Sequence, residues 1–399
     1  MPARQTSPPI LDSATAPWPH FEVDEIQAAM GVLQSGKVNY WSGEEGREFE
    51  REFASFTGCK YAVAVANGTL ALELALRALG VGSGDEVITT ARTFIASASC
   101  AVAVGARPVL ADVDRDSGNM TAASIRAVLT PRTRAIAVVH LGGWPCELDP
   151  ILELARERGI RVIEDCAQAH GASYKGRPIG SMGDVAAFSF CQDKIMTTAG
   201  EGGMITLNST EMFERAWAYK DDGKSYDAVY RRAHPPGYRW LRESWGSNWR
   251  LTEVQSAIGR VQLRKLPGWV TTRRDYAEML NVMLAGLRGL RLAIPPAHVG
   301  HAYYRYYAFV KPEELHPGWT RDRIVAEVSA RGVPCLTGSC SEIYLEKAFG
   351  EAWLPAKRLP VARELGETSI ALLVHPTLAA EQIEVAARTV RDVMIEATG

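Results

Sequence analysis

The stretch DVAAFSFCQDKIMTTAGEGGMITL, Asp184 to Leu207, decides how this chain is to be read. An apolar, strand-like run ends at Ser189-Phe190. Lys194 follows within a short loop, and a Gly-rich turn (Gly200, Glu201, Gly202, Gly203) leads into a second apolar run. One lysine therefore stands between two expected strands. Desolvation favours a neutral amine, so a lysine buried there could attack a carbonyl. A solvated loop lysine, the commoner state, is the alternative.

Working outward, the sequence on the N-terminal side alternates short β-branched runs with amphipathic segments. The expected strands are Tyr61 to Ala66, Glu86 to Thr90, Pro108 to Val113, Ala135 to His140, Arg161 to Glu164, Val185 to Phe190 and Met204 to Leu207. Between them lie expected helices at Thr69 to Leu79, Ile95 to Val104, Ala122 to Leu129 and Asp149 to Arg158. Such alternation predicts an α/β fold with a mostly parallel sheet covered by helices, and in such sheets ligands sit at the carboxyl ends of the strands.

Two helices are expected before this region, Phe21 to Ser35 and Gly46 to Thr57, the second stopped by Gly58. After it, Lys220 to Ser247 has no sustained period and is rich in Tyr, Arg, Gly and Pro, which predicts a long functional loop. Two further helices are expected, Leu251 to Lys265 and Trp269 to Leu287, on either side of Pro267-Gly268. Beyond Pro295-Pro296 a strand-like Tyr303 to Lys311 and helices at Arg321 to Arg331 and Ala380 to Ala397 predict a smaller α+β domain. The expected partition is an N-terminal arm over 1–20, a large domain over 21–290 and a small domain over 291–399.

Composition narrows the class. The 399 residues are 47% hydrophobic and 23% charged, and 44 basic against 46 acidic residues leave a net charge of -2, without the basic footprint of a nucleic-acid binder. Seven cysteines without a CxxC pair predict reduced thiols and a cytoplasmic setting. No apolar run approaches the roughly 20 residues that span a bilayer, and the Pro-containing N-terminus lacks the apolar core of a signal peptide.

Three local features carry chemistry. Asn67-Gly68-Thr69 closes a strand and opens a helix, so its free backbone N–H groups could hold a phosphate, or Thr69 could simply cap the helix. Asp165, at a strand end with Gln168 close behind, could pair with a protonated ring nitrogen, or could cap the next segment. Ser189 lies five residues before Lys194. An anion cradle, a carboxylate for a pyridinium and an imine-forming lysine, converging on one sheet edge, are the parts that pyridoxal 5'-phosphate (PLP) needs as an electron sink.

The segments AVANGTLALELAL (64–76), GDEVITTARTFIASA (84–98), VIEDCAQAHGASYKGRPIGSMGDVAAFSF (162–190), the lysine loop with GEGG, and GSNWRLTEVQSAIGRVQL (246–263) resemble the DegT/StrS family of PLP-dependent sugar aminotransferases. The likeness runs from about Phe21 to the C-terminal helix. It implies the fold-type-I PLP-dependent transferase fold of the aspartate aminotransferase superfamily.

Position by position, the resemblance implies that Lys194 is the Schiff-base lysine and proton carrier and that Asp165 pairs with the pyridine nitrogen. It places Gln168 beside the phenolic oxygen, Phe94 on the ring face, and Gly68, Thr69 and Ser189 at the phosphate. Asn248 matches a phosphate contact donated by a neighbouring subunit, with Arg250 near the same interface, so a homodimer with a shared active site is implied. Lys194, where a dehydrating branch of the family has histidine, favours amino transfer.

The implied reaction moves an amino group from L-glutamate or L-glutamine to a keto sugar, usually nucleotide-linked, for a lipopolysaccharide, glycan or natural product. The lysine loop also has some likeness to keto-inositol aminotransferases and aminohydroxybenzoate synthases. A non-catalytic PLP-binding regulatory protein would have no chemical need for Lys194.

Other residues are read more plainly. His140 and His170 are expected to be structural. His298, His301 and His375 show no partner at metal-ligand spacing, and no metal is expected. Tyr303, Tyr304, Tyr306 and Tyr307 are expected to pack in a core. The segment around Cys335, Gly338, Cys340 and Tyr344 falls where the family's C-terminal domain approaches the substrate.

Overall fold

The computed structural model describes residues 17–399, so most of the expected N-terminal arm lies outside the described residues. A seven-stranded sheet forms the centre, in the order Tyr61–Val65, Gly203–Leu207, Val185–Ser189, Arg161–Asp165, Thr133–Val139, Glu86–Thr90, Arg107–Ala111. The last five are parallel neighbours, whereas Gly203–Leu207 runs antiparallel to both its neighbours. The reason is local. Val185–Ser189 and Gly203–Leu207 pair directly across the lysine loop, without the helical crossover that a parallel pair would need. The lysine loop is thus a hairpin connection at the carboxyl end of Val185–Ser189.

The central strands are buried throughout, as expected of a sheet covered on both faces. Phe49, Phe53, Phe188 and Phe190 anchor one covering layer, and Leu72, Leu76, Ala216 and Trp217 belong to the other. A second, four-stranded antiparallel sheet, Leu290–Leu292, Tyr306–Val310, Ser369–Leu372 and Cys335–Leu336, packs with helix Ala380–Thr398 around its own apolar cluster.

Three expectations change. The two helices expected around Pro267 are one helix, Glu253–Leu284, with the proline inside it. An interior proline costs about 3 kcal/mol or more. Here Leu263, Leu266 and Val270 are buried in the main core, and Ala277, Leu280 and Leu284 in the second. At roughly 1.5–3 kcal/mol per large buried apolar side chain, that burial outweighs the broken ladder. Within the expected loop 220–247, Ser225 caps a short helix, Tyr226–Tyr230. The strand expected from Tyr303 begins at Tyr306, because Tyr303 takes a left-handed φ of 48°.

Candidate active site

The strands that run in one direction present their carboxyl ends to a cavity of about 590 Å³ whose lining includes Gly68, Thr69, Phe94, Asp165, Ser189 and Lys194, with Gln168 beside them. Seven of the sequence-derived positions therefore meet. At the turn after Tyr61–Val65 the helix cap is Asn67, whose side chain accepts from the Leu70 N–H at 2.9 Å. Thr69 is not the cap. Asn67 also takes the Ala71 N–H on its carbonyl, which leaves the N–H groups of Gly68 and Thr69 without a partner among the described residues. A Cβ on Gly68 would stand 2.5 Å from the Ser189 Cβ, and one on Gly203 would stand 2.3 Å from the Asn67 carbonyl oxygen. Glycine at both positions is what lets the turn close against the hairpin.

Asp165 is buried at the end of its strand and accepts from Ser97 Oγ at 2.7 Å and from the Ala167 N–H at 3.2 Å. Burial pushes its carboxyl above the usual range, more than these bonds and the neighbouring charges of His140 and Lys194 lower it. Among the described residues no cation forms an ion pair with it. Gln168 Oε1 accepts from the Gly142 N–H at 2.7 Å, which fixes the amide. Phe94 stands 67% exposed at the cavity wall.

Lys194 is largely enclosed. Its Nζ lies 3.5 Å from Asp193 Oδ1 and 5.0 Å from the centre of the Tyr304 ring, and its carbonyl accepts from Trp18 Nε1 at 2.9 Å. Burial acts to raise the Asp193 carboxyl, but Lys194, the Tyr304 hydroxyl bonded to it and Arg305 outweigh burial and hold it below the usual range. Asn248 is exposed and lies outside the lining of this cavity, bridged through its backbone to Asp221. Arg250 is tied to the buried Asp221 carboxylate at 2.7 Å and its backbone bridges Val65.

The sequence profile of the DegT/DnrJ/EryC1/StrS aminotransferase family matches residues 19–391. The chain belongs to that family. A solved aminotransferase from Psychrobacter cryohalolentis superposes with a TM-score of 0.95 at 50% identity, over 96% of this chain and all of that one (100%). GDP-perosamine synthase of Caulobacter vibrioides is 41% identical over 73% of this chain and 76% of its own. The L-glutamine:2-deoxy-scyllo-inosose aminotransferase of Streptoalloteichus tenebrarius is 40% identical over 88% of this chain and 82% of its own. The fold is that of the fold-type-I PLP-dependent aminotransferases, and the protein is a transaminase.

Several residues of this aminotransferase's cavity were not legible beforehand. Tyr304 and Tyr307, expected only to pack, line a second cavity that opens beside Lys194, together with Arg305. The Ala302 N–H donates to the Gly143 carbonyl and the Tyr304 N–H to the Gly142 carbonyl, each at 2.9 Å, so a loop after one strand draws in a segment 160 positions later. The only sequence signal was the placement of Arg305 among four tyrosines. Trp18 was equally hidden: it stacks edge-on against Trp269 and face-on against His375, under the buried Arg273 guanidinium.

Of the discounted histidines, His140 and His170 are fully buried. His140 Nε2 lies 3.2 Å from Glu164 and its Nδ1 accepts from the Cys146 N–H. Burial would raise Glu164, yet His140 and the N–H groups of Gly183 and Gly180 hold it low. His140, Glu164 and Cys166 cluster tightly, but Glu164 is already engaged by three backbone donors as well as the histidine. His170 packs between Phe188 and Phe190. His298 does have a carboxylate partner, Glu147 at 2.7 Å, which the spacing of 151 residues concealed. No helix among the described residues is long and apolar enough to cross a membrane.

Proposed function

We propose that this transaminase uses PLP to carry an amino group from L-glutamate or L-glutamine to a keto sugar, a nucleotide-linked keto-deoxy sugar in the first instance. The observation that carries the reading is that Lys194, Asp165 and the Gly68–Thr69–Ser189 cradle line one cavity. The donor set fits the cofactor. A buried carboxylate without a cationic partner suits a pyridinium, and two unpaired N–H groups at a helix start suit a phosphate.

PLP, when bound, supplies an electron sink for charge developing beside the migrating amine. Asp165 would keep the ring nitrogen protonated, Gln168 would meet the phenolic oxygen, and Phe94 would cover the ring. Gly68, Thr69 and Ser189 would hold the phosphate. Lys194 Nζ would hold the cofactor between turnovers and take up and return a proton at the substrate carbon.

A homodimer sharing the site belongs to the same reading, with Asn248 reaching the partner's phosphate. It is supported by exposed apolar side chains at helical spacing, Val23, Ile26, Met30 and Leu33, and by Trp240 and Trp245, which are 82% and 96% exposed. We keep the partition into a large domain over 21–290 and a small one over 291–399, supported by a second sheet and apolar cluster drawn mostly from residues beyond 290, to which Ala277, Leu280, Leu284 and Leu290 also contribute.

A keto-inositol acceptor is the second reading, favoured by the 40% identity to the inosose aminotransferase. The PLP-loaded protein is titrated with L-glutamate and L-glutamine while its visible absorbance is followed, then given a nucleotide keto sugar or a keto-inositol. Loss of the visible band with an amino donor and formation of an amino sugar is expected. A band that neither donor bleaches would overturn transfer in favour of a regulatory PLP protein, and turnover of the keto-inositol alone would replace the first acceptor with the second.

A further inference from the structure

The second cavity, about 360 Å³, shares Phe94, Gln168, Asp193 and Lys194 with the first and continues outward past Tyr304 and Arg305 to the 336–346 segment. Its charge is unusual. Arg305 stands at the wall with its Cζ 4.6 Å from the centre of the Tyr304 ring, the same ring that Lys194 Nζ approaches at 5.0 Å. Among the described residues its guanidinium makes one hydrogen bond, from Nη1 to the Tyr304 carbonyl at 3.5 Å. Among the described residues no carboxylate forms an ion pair with it.

Two carboxylates line the same cavity, Asp193 and Glu346. Asp193 is the natural competitor for the guanidinium, but one of its oxygens accepts the Tyr304 hydroxyl and the other lies 3.5 Å from Lys194 Nζ. Behind this wall sits a second cation, the fully buried Arg273, whose Nη1 donates to the carbonyls of Tyr303 and Tyr304. Burial and the charge of Arg305 together push Arg273 down to about 9. A planar guanidinium fork left without a carboxylate, backed by another arginine, is built for an oxyanion.

We propose that Arg305 anchors an oxyanion of the substrate in this outer cavity, the carboxylate of the amino donor or the diphosphate of a nucleotide-linked acceptor. The inference rests on the transaminase reading and names the residue that would hold the charged part of its substrates. A keto-inositol carries no such group, so under the second acceptor reading the anion can come only from the donor.

The binding arm of the test needs no turnover, so it fails separately from the acceptor assays. Arg305→Gln and Arg305→Lys are compared with the wild type as PLP-loaded proteins, and glutarate, UDP, GDP and dTDP are titrated calorimetrically into each. Arg305→Gln should bind glutarate at least tenfold more weakly if the anion is a carboxylate, or the nucleoside diphosphates if it is a diphosphate. Arg305→Lys should recover part of the loss, and all three proteins should melt alike. In the kinetic arm, the half-reaction with the matching substrate should show a raised KM with kcat largely kept. Unchanged affinity of Arg305→Gln for every probe, or a wild type that binds none of them, overturns the proposal.

Discussion

The inner and outer halves of the cavity are made differently. Gly68, Asp165 and Ser189 stand on or directly after strands of one buried sheet, and Lys194 stands on the hairpin that joins two of them. The outer half draws much of its wall from loops, Tyr304 and Arg305 ahead of Tyr306–Val310 and most of the 336–346 segment, with Tyr307, Leu336 and Ala371 added from strands of the second sheet. That segment is held by Ser341 against the buried Arg92, and by Ser339 against the Tyr307 hydroxyl. Under the proposed function, the groups that would meet one cofactor in one geometry sit on the rigid element, whereas those that would meet a variable substrate sit where sequence can change cheaply.

The sharpest way to break this contrast is Lys194→Ala. Transamination should vanish in a multiple-turnover assay, while PLP is still retained in equilibrium dialysis through Gly68, Thr69 and Ser189. Full turnover by that variant would remove the inner half from the chemistry.

Asp165→Asn comes next. With PLP bound, kcat should drop by about a hundredfold or more, close to 3 kcal/mol of transition-state stabilisation. Without PLP the variant should melt no lower than the wild type, since the carboxylate it replaces is buried without a cation. A large loss of apoprotein stability would show instead that Asp165 serves the fold.

Acid should discriminate a third way. Burial pushes both His170 and His301 down to about 3, so each stays neutral in the folded protein where the unfolded chain, near 6.5, takes up a proton. Their contribution is complete above pH 6.5 and is lost as pH falls toward 3, with a slope approaching 1.4 kcal/mol per pH unit for each, about one pKa unit's worth. His170→Phe should flatten urea-derived stability between pH 4 and 6 by up to that amount, with His301 as the internal control. An unaltered slope would mean that His170 is protonated in the fold.

Trp18→Phe should have the smallest effect. It keeps the ring between Trp269 and His375 and removes only the N–H donated to the Lys194 carbonyl. One neutral hydrogen bond is worth about 1 kcal/mol, so kcat should drop by roughly fivefold in the donor half-reaction with melting little changed. A change confined to melting would make Trp18 a clasp for the N-terminal segment and nothing more.

Much of the inner half was readable because its residues follow strands whose hydrophobic runs declare themselves. Asp165 ends such a run, Gly68 and Thr69 follow another, and the parallel order brings their carboxyl ends together. The proline at 267 misled for the complementary reason, since propensity is local and the burial that overrides it belongs to two separate cores. Tyr304 and Trp18 gave no such signal, because Asp193 and Gly142, which meet the first, and Lys194, Trp269 and His375, which meet the second, lie more than a hundred residues away.

The sequence by itself determined the sheet, the lysine between two of its strands, and the chemistry that a carboxylate and an anion cradle at the same edge can support. Only the tertiary structure decided which side chains line the outer cavity, that Asn67 caps the helix after Tyr61–Val65, and that Trp18 reaches the carbonyl of the lysine. Periodicity is written in neighbouring residues, whereas these contacts exist only once the whole chain has packed.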